Sequence, residues 1–273
     1  MSSFLLATDL DRTLLPNGPA PDDGGIEVLF HALSTTPHLL VYVTGRNLDM
    51  VHGAQRQFGI PAPDYLIADT GTSMFSKRGD ALVSEPRWVA YVRTQEPRWN
   101  REDVVRAIGT FHELVLQEDW KQNHFKVSYY FADHESKDAV LSHITDALAS
   151  IAVQADVLWS VDPLKDSTGL IDVLPKSATK ATALEFLRMQ ENLAKNDIVY
   201  CGDSGNDILP LTRCYRSILV KNAPGDVKEE VQRRVTENGC PDTLYIATGT
   251  SGRNGNYASG ILEGLRHFGI LAS

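Results

Sequence analysis

The fold is decided by the opening stretch Phe4-Leu5-Leu6-Ala7-Thr8-Asp9-Leu10-Asp11-Arg12-Thr13-Leu14-Leu15. A run of apolar and β-branched residues that opens abruptly onto two carboxylates predicts a buried strand with acid groups at its C-terminal tip, where open α/β sheets place their ligands. In Asp9-x-Asp11 the acids are offset by one residue, so a strand that breaks after Asp9 lets both converge on one small volume. Two anions held that close call for a cation, and a hard oxygen-seeking ion such as Mg²⁺ fits. An isolated pair of this kind is more often a turn and a helix cap. Further segments decide between the two.

Working outward, Asn17 to Gly25 is a loop rich in Pro, Gly and Asp, after which Ile26, Leu29, Phe30 and Leu33 recur at helical spacing. Leu39 to Val43 predicts a second strand, ending on Thr44-Gly45-Arg46, and Leu48, Val51 and Phe58 a second helix. Tyr65 to Ala68 predicts a third strand, ending on Asp69-Thr70-Gly71-Thr72-Ser73. This rhythm implies parallel strands with right-handed crossovers.

From Pro86 the alternation stops and tryptophans cluster, which predicts an inserted domain over residues 86–165. Val104, Val105, Ile108, Phe111 and Val115 predict a helix, Phe125 to Phe131 a half-exposed strand, Val140 to Leu148 a second helix and Ala155 to Val161 a further strand. Such an α+β unit, with one sheet face covered, is placed to close over a ligand. Trp88, Trp99 and Trp159 read as its core; Trp120, abutting a polar strand, is the exception. Leu170 to Pro175 is expected to resume the main core, and Ser177 to cap a helix that carries Lys180 in its first turn. Ile198 to Cys201 predicts another buried strand, ending on Gly202-Asp203-Ser204-Gly205-Asn206-Asp207, with a strand at Ser217 to Val220 and a helix at Ile261 to Phe268 beyond it. The expected architecture is α/β: a doubly wound parallel-sheet core over 1–85 and 166–273, with an inserted α+β cap over 86–165.

A formal charge of −9, from 35 acidic and 26 basic side chains, argues against a nucleic-acid or anionic-membrane partner. Any phosphate must therefore meet a local cationic site. Cys201, Cys214 and Cys240 are an odd set without a C-x-x-C pair, so reduced thiols in a cytoplasmic setting are expected, with no zinc framework. Neither a signal-like N-terminus nor an apolar run of some 18 residues is visible, so secretion and membrane spanning are not expected.

Four segments share one electrostatic problem: Asp9/Asp11, Thr44-Gly45-Arg46, Lys180, and Asp203 to Asp207. A phosphate ester needs an in-line nucleophile, neutralisation of its non-bridging oxygens and a proton donor for the leaving alkoxide. Asp9, first off the strand, is the candidate nucleophile, forming an aspartyl-phosphate. Asp11 is the candidate acid/base. Thr44 and the Gly45 amide are candidates to hold phosphate oxygens, and Lys180 supplies positive charge. Asp203 and Asp207 complete a Mg²⁺ site with Asp9 and the Asp11 backbone carbonyl, and Asn206 orients the phosphate or a carboxylate. Singly, Thr44-Gly45 is a common turn and Lys180 one lysine among many. Their joint order at strand ends carries the reading.

This ordered set resembles the haloacid-dehalogenase (HAD) phosphatase superfamily, which implies a doubly wound core and an aspartate nucleophile. Gln122-Asn123-His124-Phe125-Lys126-Val127-Ser128-Tyr129-Tyr130, Asp172-Val173-Leu174-Pro175 and Tyr257 to Gly269 are similar to the sucrose-6-phosphate phosphatase branch, with its large α+β cap. That resemblance implies a Mg²⁺-dependent sugar phosphatase with Lys180, Thr44 and Asn206 as phosphate ligands. It implies sugar contacts at Arg46, Gln122, Asn123 and Lys126. Arg12 in place of a small or amide residue, and a longer segment around Asp162-Pro163-Leu164-Lys165, depart from the pattern and keep mannosylfructose-phosphate open beside sucrose-6-phosphate.

From the residues alone, Gln122, Asn123, Lys126 and Ser128 read equally as a sugar-binding face and as the wet face of a sheet. Two other classes remain open: a non-catalytic sugar-phosphate binder that pairs with the synthase making the phosphorylated sugar, and a phosphomutase. The chain is expected to act as a monomer.

Overall fold

The computed structural model describes residues 4–111, 114–132, 134–162, 168–250 and 252–272. Strand β1 (Phe4–Thr8) is buried over its whole length, as a strand with no polar face must be. Helix α1 (Gly25–Leu33), β2 (His38–Val43), α2 (Leu48–Phe58) and β3 (Tyr65–Ala68) follow, and then an antiparallel pair, β4 (Ser73–Arg78) and β5 (Ala81–Ser84). After α3 (Pro86–Gln95) and α4 (Arg101–Ile108) come β6 (Leu114–Leu116), β7 (Val127–Phe131), α5 (Lys137–Ser150), β8 (Ala155–Asp162) and β9 (Thr168–Pro175). The chain closes with α6 (Lys180–Gln190), β10 (Ile198–Gly202), α7 (Ile208–Leu211), β11 (Arg216–Leu219), α8 (Gly225–Glu237), β12 (Leu244–Ile246) and α9 (Tyr257–His267).

The larger sheet runs β12-β11-β10-β1-β2-β3-β4-β5, parallel from β12 to β3 and antiparallel beyond. Its two faces are covered separately, as the two-residue period of a strand requires. Leu6, Leu40, Tyr42 and Leu66 meet α1, α2 and α9 through Leu29, Val51, Ala54 and Ile261. Leu5, Ala7, Val41, Val43 and Ile67 meet α3, α6 and α8 through Trp88, Leu184, Phe186 and Val231. Register pairs Thr8 with Tyr42 on one side and with Cys201 on the other, so the C-terminal tips of β1, β2 and β10 end level with one another.

The smaller sheet, β6-β7-β9-β8, is antiparallel, and α4 and α5 cover one face through Val104, Ile108, Val140 and Ile144. Strand β9 pairs with β7 and β8 there, so residues 168–175 do not reopen the main core as expected. The apolar run Leu170 to Val173 is consistent with a central strand of either sheet; only its pairing tells them apart. The expected junction at 165/166, and residues 163–165 of the longer segment, lie outside the described residues.

Other local expectations are corrected too. Val115 lies on edge strand β6, because α4 ends at Gly109 with φ 61°. Trp88 packs in the main core against Tyr91 and Phe186, not in the inserted unit. Helix α6 is capped by Thr179, whose hydroxyl and that of Thr182 form a reciprocal capping box, two residues after Ser177. Cys214 and Cys240 form a disulfide with a Cα–Cα distance of 5.7 Å, where reduced thiols were expected. The turn after α7 and the end of α8 lie side by side, tied also by Asn238 to the Thr212 carbonyl. Cys201 is free and buried.

Trp88→Ala should lower stability by about 3–5 kcal/mol in urea titration, because it empties an aromatic cluster in the main core. Trp88→Phe should cost much less, since the indole N–H has no partner among the described residues. An alanine cost under about 1 kcal/mol would contradict this placement.

Candidate active site

Each expected core residue leaves the tip of a strand or the first turn of a helix. Asp9 follows β1, its amide bonded to the Cys201 carbonyl (2.9 Å). Thr44 follows β2, its amide bonded to the Ile67 carbonyl (2.8 Å). The Thr44 hydroxyl accepts from the Arg46 amide (3.1 Å), so its own proton stays available. Lys180 opens α6, and Asp203 and Asp207 flank the turn after β10.

Asp9, Asn206 and Asp207 converge on the Lys180 ammonium. It donates to Asp9 Oδ1 (2.8 Å), Asn206 Oδ1 (2.9 Å) and Asp207 Oδ1 (2.9 Å), using all three protons. Asp207 also accepts from the Tyr200 hydroxyl (2.6 Å) and from the Asp203 and Ser204 amides (both 3.2 Å). Asp203 accepts from the Thr13 hydroxyl (3.1 Å), and Arg12 approaches it to 3.5 Å. Gly202 has no alternative side chain, because a Cβ there would meet the Asp207 side chain at 2.5 Å.

Charge is unbalanced in this volume. Asp9, Asp203 and Asp207 are all buried, with oxygens that lie within 4.8 Å of one another. Lys180, only 2% exposed, is the buried cation among them. Burial, with the charges of Asp207 and Asp203, pushes Asp9 well above the usual carboxylate range despite Lys180. Burial and Asp207 push Asp203 up to about 6. Burial opposes the Lys180 charge, but Asp207 and Asp9 outweigh it and hold the ammonium above the ordinary lysine value. Three convergent carboxylates with a surplus of negative charge fit a hard divalent cation.

Asp11 stands apart from that trio. Its carboxylate takes a two-pronged hydrogen bond from Arg46 (2.9 Å from Nε, 2.7 Å from a terminal nitrogen). Burial pushes Asp11 up, yet Arg46 and Asn17 outweigh it and hold it below the usual value. Its side chain is therefore not the fourth member of the acid cluster. Only its backbone carbonyl remains for the metal role expected of it.

The sucrose-6F-phosphate phosphohydrolase family matches residues 2–269. The chain belongs to that family. A HAD-like hydrolase of Nitrosococcus oceani is 34% identical over 266 residues, covering 97% of this chain and 71% of the other. The mannosylfructose-phosphate phosphatase of Agrobacterium fabrum is 28% identical over 268 residues, covering 97% of each. Among solved structures, the Synechocystis sucrose-phosphatase in complex with sucrose and phosphate aligns over 100% of both chains with a TM-score of 0.77 and 25% identity. The chain is a phosphoric monoester hydrolase acting on a sugar phosphate, on a HAD-type core.

In this family member the expected cap residues divide. Asn123 donates to Thr72 Oγ1 (2.8 Å), and Lys126 pairs with Asp69 (3.2 Å), so both reach the core loop after β3. Gln122 is occupied within the inserted unit, donating to the Gln117 and Ser128 carbonyls and accepting from the Ser128 amide. Arg46 lies on Asp11. Trp120 is 58% exposed, and its carbonyl accepts from Asn47 (3.3 Å). Thr13 belongs to the motif Asp9-x-Asp11-x-Thr13 that carries the resemblance, whereas Tyr200 and Asp69 have no functional signal in the sequence. Tyr200 sits in an unbroken apolar strand, which gives no hint that its hydroxyl reaches Asp207.

Stability should report the charge surplus. Asp203 binds its proton more tightly folded than unfolded, so its contribution is favourable at low pH and is lost as pH rises from about 4 to about 6. In EDTA, Asp203→Asn should therefore be more stable than wild type at pH 7, by roughly 2 kcal/mol relative to the difference at pH 4. A pH-independent difference in thermal melts would show that Asp203 carries no uncompensated charge.

Proposed function

We propose that the chain is a Mg²⁺-dependent phosphatase that hydrolyses a disaccharide phosphate, sucrose-6-phosphate in the first instance, through an aspartyl-phosphate on Asp9. The observation that carries this reading is the Lys180 ammonium bonded at once to Asp9, Asn206 and Asp207 at the level strand tips. It sets a buried nucleophile beside a positive charge where an open sheet presents its ligand. The sugar assignment is supported by the family match and by the Synechocystis relative's bound sucrose and phosphate.

In the first step an Asp9 carboxylate oxygen forms a bond to phosphorus as the bond to the sugar oxygen breaks. Lys180, the Thr44 hydroxyl and the Gly45 amide neutralise the phosphoryl oxygens, and Asn206 orients them. Asp11 gives a proton to the departing alkoxide. In the second step Asp11 takes a proton from water, the new oxygen bonds to phosphorus, and the Asp9 carboxylate leaves. Asp9, Asp203, Asp207 and the Asp11 carbonyl are the groups that would hold Mg²⁺, which when bound supplies further neutralisation of phosphoryl charge.

Arg46 gives this scheme its timing. Paired with Asp11, it holds the carboxyl below the usual range. An arriving phosphate dianion competes for the guanidinium, and burial then acts on Asp11 with less opposition, favouring the protonated acid the first step needs. A mannosylfructose-phosphate is the second reading, favoured by the Agrobacterium relative's similarity over nearly the whole of both chains.

Asp9→Ala should abolish phosphate release while leaving circular dichroism and the melting transition folded-like; appreciable residual turnover would refute the nucleophile assignment. A phosphate-release panel should show sucrose-6-phosphate, or mannosylfructose-phosphate, preferred over hexose-6-phosphates by two orders of magnitude or more, with activity lost in EDTA and restored by Mg²⁺. That ratio corresponds to roughly 3 kcal/mol of differential transition-state binding, which requires contacts to the second sugar. Equal rates on hexose phosphates would sink the disaccharide assignment.

A further inference from the structure

The three-residue loop after β3 lies between the Thr44-Gly45-Arg46 turn and the start of α6. Its amides at Asp69 and Thr70 donate to the Arg46 carbonyl (3.0 Å) and the Thr44 carbonyl (2.9 Å). Asp69, Thr70 and Gly71 all have positive φ, at 51°, 63° and 107°. Gly71 lies so close to the start of α6 that a Cβ would meet the Thr179 carbonyl carbon at 2.2 Å and the Lys180 amide at 2.4 Å. Left-handed backbone at consecutive non-glycine residues is costly and persists only when its surroundings over-determine it. Here the phosphate-binding turn and the Lys180 helix do so from either side.

Across the seam, the turn that precedes β7 rests on this loop. Asn123 bonds to Thr72 and Ser73, Phe125 packs in the main core, and the Lys126 ammonium meets Asp69 Oδ1. Asp69 Oδ2 accepts from the Ser73 hydroxyl (2.9 Å), which fixes the carboxylate plane. Lys126 is 6% exposed. An ammonium has three protons to give, and among the described residues Asp69 is the one hydrogen-bond acceptor Lys126 has. Donors left over on a buried, charge-paired ammonium are what an array of sugar hydroxyls satisfies.

We propose that Asp69 is a positioning residue for the sugar: it holds the Lys126 ammonium at the seam beside the phosphate site, so that recognition of the sugar depends on the Asp69–Lys126 pair. This rests on the sugar-phosphate reading above and deepens it. Asp69 acts through Lys126 and takes no part in phosphoryl transfer, so its loss weakens binding of substrates that carry a sugar and spares those that do not.

The test compares two substrates on Asp69→Asn, a change that keeps a side chain tolerant of positive φ, removes the charge and replaces one of the two acceptor oxygens by a donor. The KM for sucrose-6-phosphate, or for whichever disaccharide phosphate the panel selects, should rise at least about tenfold with kcat within about threefold. Turnover of p-nitrophenyl phosphate should stay within about threefold of wild type. The Asp69→Asn/Lys126→Met double variant should be no worse on the sugar phosphate than Lys126→Met alone, because the two residues act as one unit.

A parallel loss on both substrates would overturn the proposal in favour of a structural brace for Lys180, and an unchanged KM would overturn it outright. Should Asp69→Asn not fold, Lys126→Gln breaks the pair from the other side, and the same substrate split decides. A wild-type enzyme that cleaves p-nitrophenyl phosphate but no disaccharide phosphate would defeat the sugar reading and this proposal together; an active wild type with an indifferent Asp69→Asn defeats only the latter.

Discussion

One buried ammonium organises the molecule. Lys180 has two carboxylates and an amide oxygen within 3 Å, and removing it would strand Asp9 and Asp207 without a counter-charge in a volume that excludes water. Burial of unpaired charge costs several kcal/mol per ion, far more than most single contacts contribute. The surrounding structure is therefore bound to deliver Lys180 accurately. A reciprocal Thr179/Thr182 cap begins α6 at that residue, and Gly71 lets the loop after β3 press against the same turn. On the opposite side, the Tyr200 hydroxyl, the Asp203 and Ser204 amides and the Ser204 hydroxyl donate to Asp207 and fix its orientation. Once Asp203 is counted, three carboxylates face one ammonium, formally two positive charges short of neutrality, a deficit that a divalent cation would answer.

The parallel sheet is what makes such convergence possible from distant parts of the chain. Level strand tips at β1, β2 and β10, paired through Thr8, Tyr42 and Cys201, bring the ends that carry residues 9, 44 and 203 to one edge although they are far apart in sequence. Tight turns then aim the side chains. Arg12 adopts φ 60° directly after Asp11, and the amides of Thr13, Leu14 and Leu15 all fold back onto the Leu10 carbonyl. Arg12, Asp69 and Thr70 carry strain of this kind beside the site, where a rigid scaffold can hold it.

Residues whose chemistry and strand-end position both speak can be placed from sequence: Asp9 and Thr44 directly follow β1 and β2, Lys180 opens α6, and Asp203 and Asp207 follow β10. Reading failed where two structures share one pattern. Leu170 to Val173 is an apolar run that suits either sheet, and its assignment depends on partners 40 or more residues away in sequence. Trp88 follows a proline at a change of composition, yet its helix packs back onto the main sheet. The β4–β5 pair lacks a strong alternating pattern because β5 is largely exposed. Cys214 and Cys240, separated by 26 residues, are brought together by the packing of α7 on α8, which no spacing rule encodes.

The sugar is harder to read than the phosphate for an energetic reason. Phosphate recognition rests on full charges in a dry site, where each misplaced group is expensive and few residue types serve. Sugar recognition rests on neutral hydrogen bonds worth about 1 kcal/mol net each, since a hydroxyl leaving water merely exchanges partners. Asn123 and Gln122 are bonded to protein groups, so a sugar gains little by replacing those bonds. Discrimination must then fall on groups that the protein leaves incompletely satisfied. Lys126 is such a group: buried, charged and held by one acceptor among the described residues, it stands to gain more from a correctly placed hydroxyl than a satisfied amide does, and to lose more from its absence.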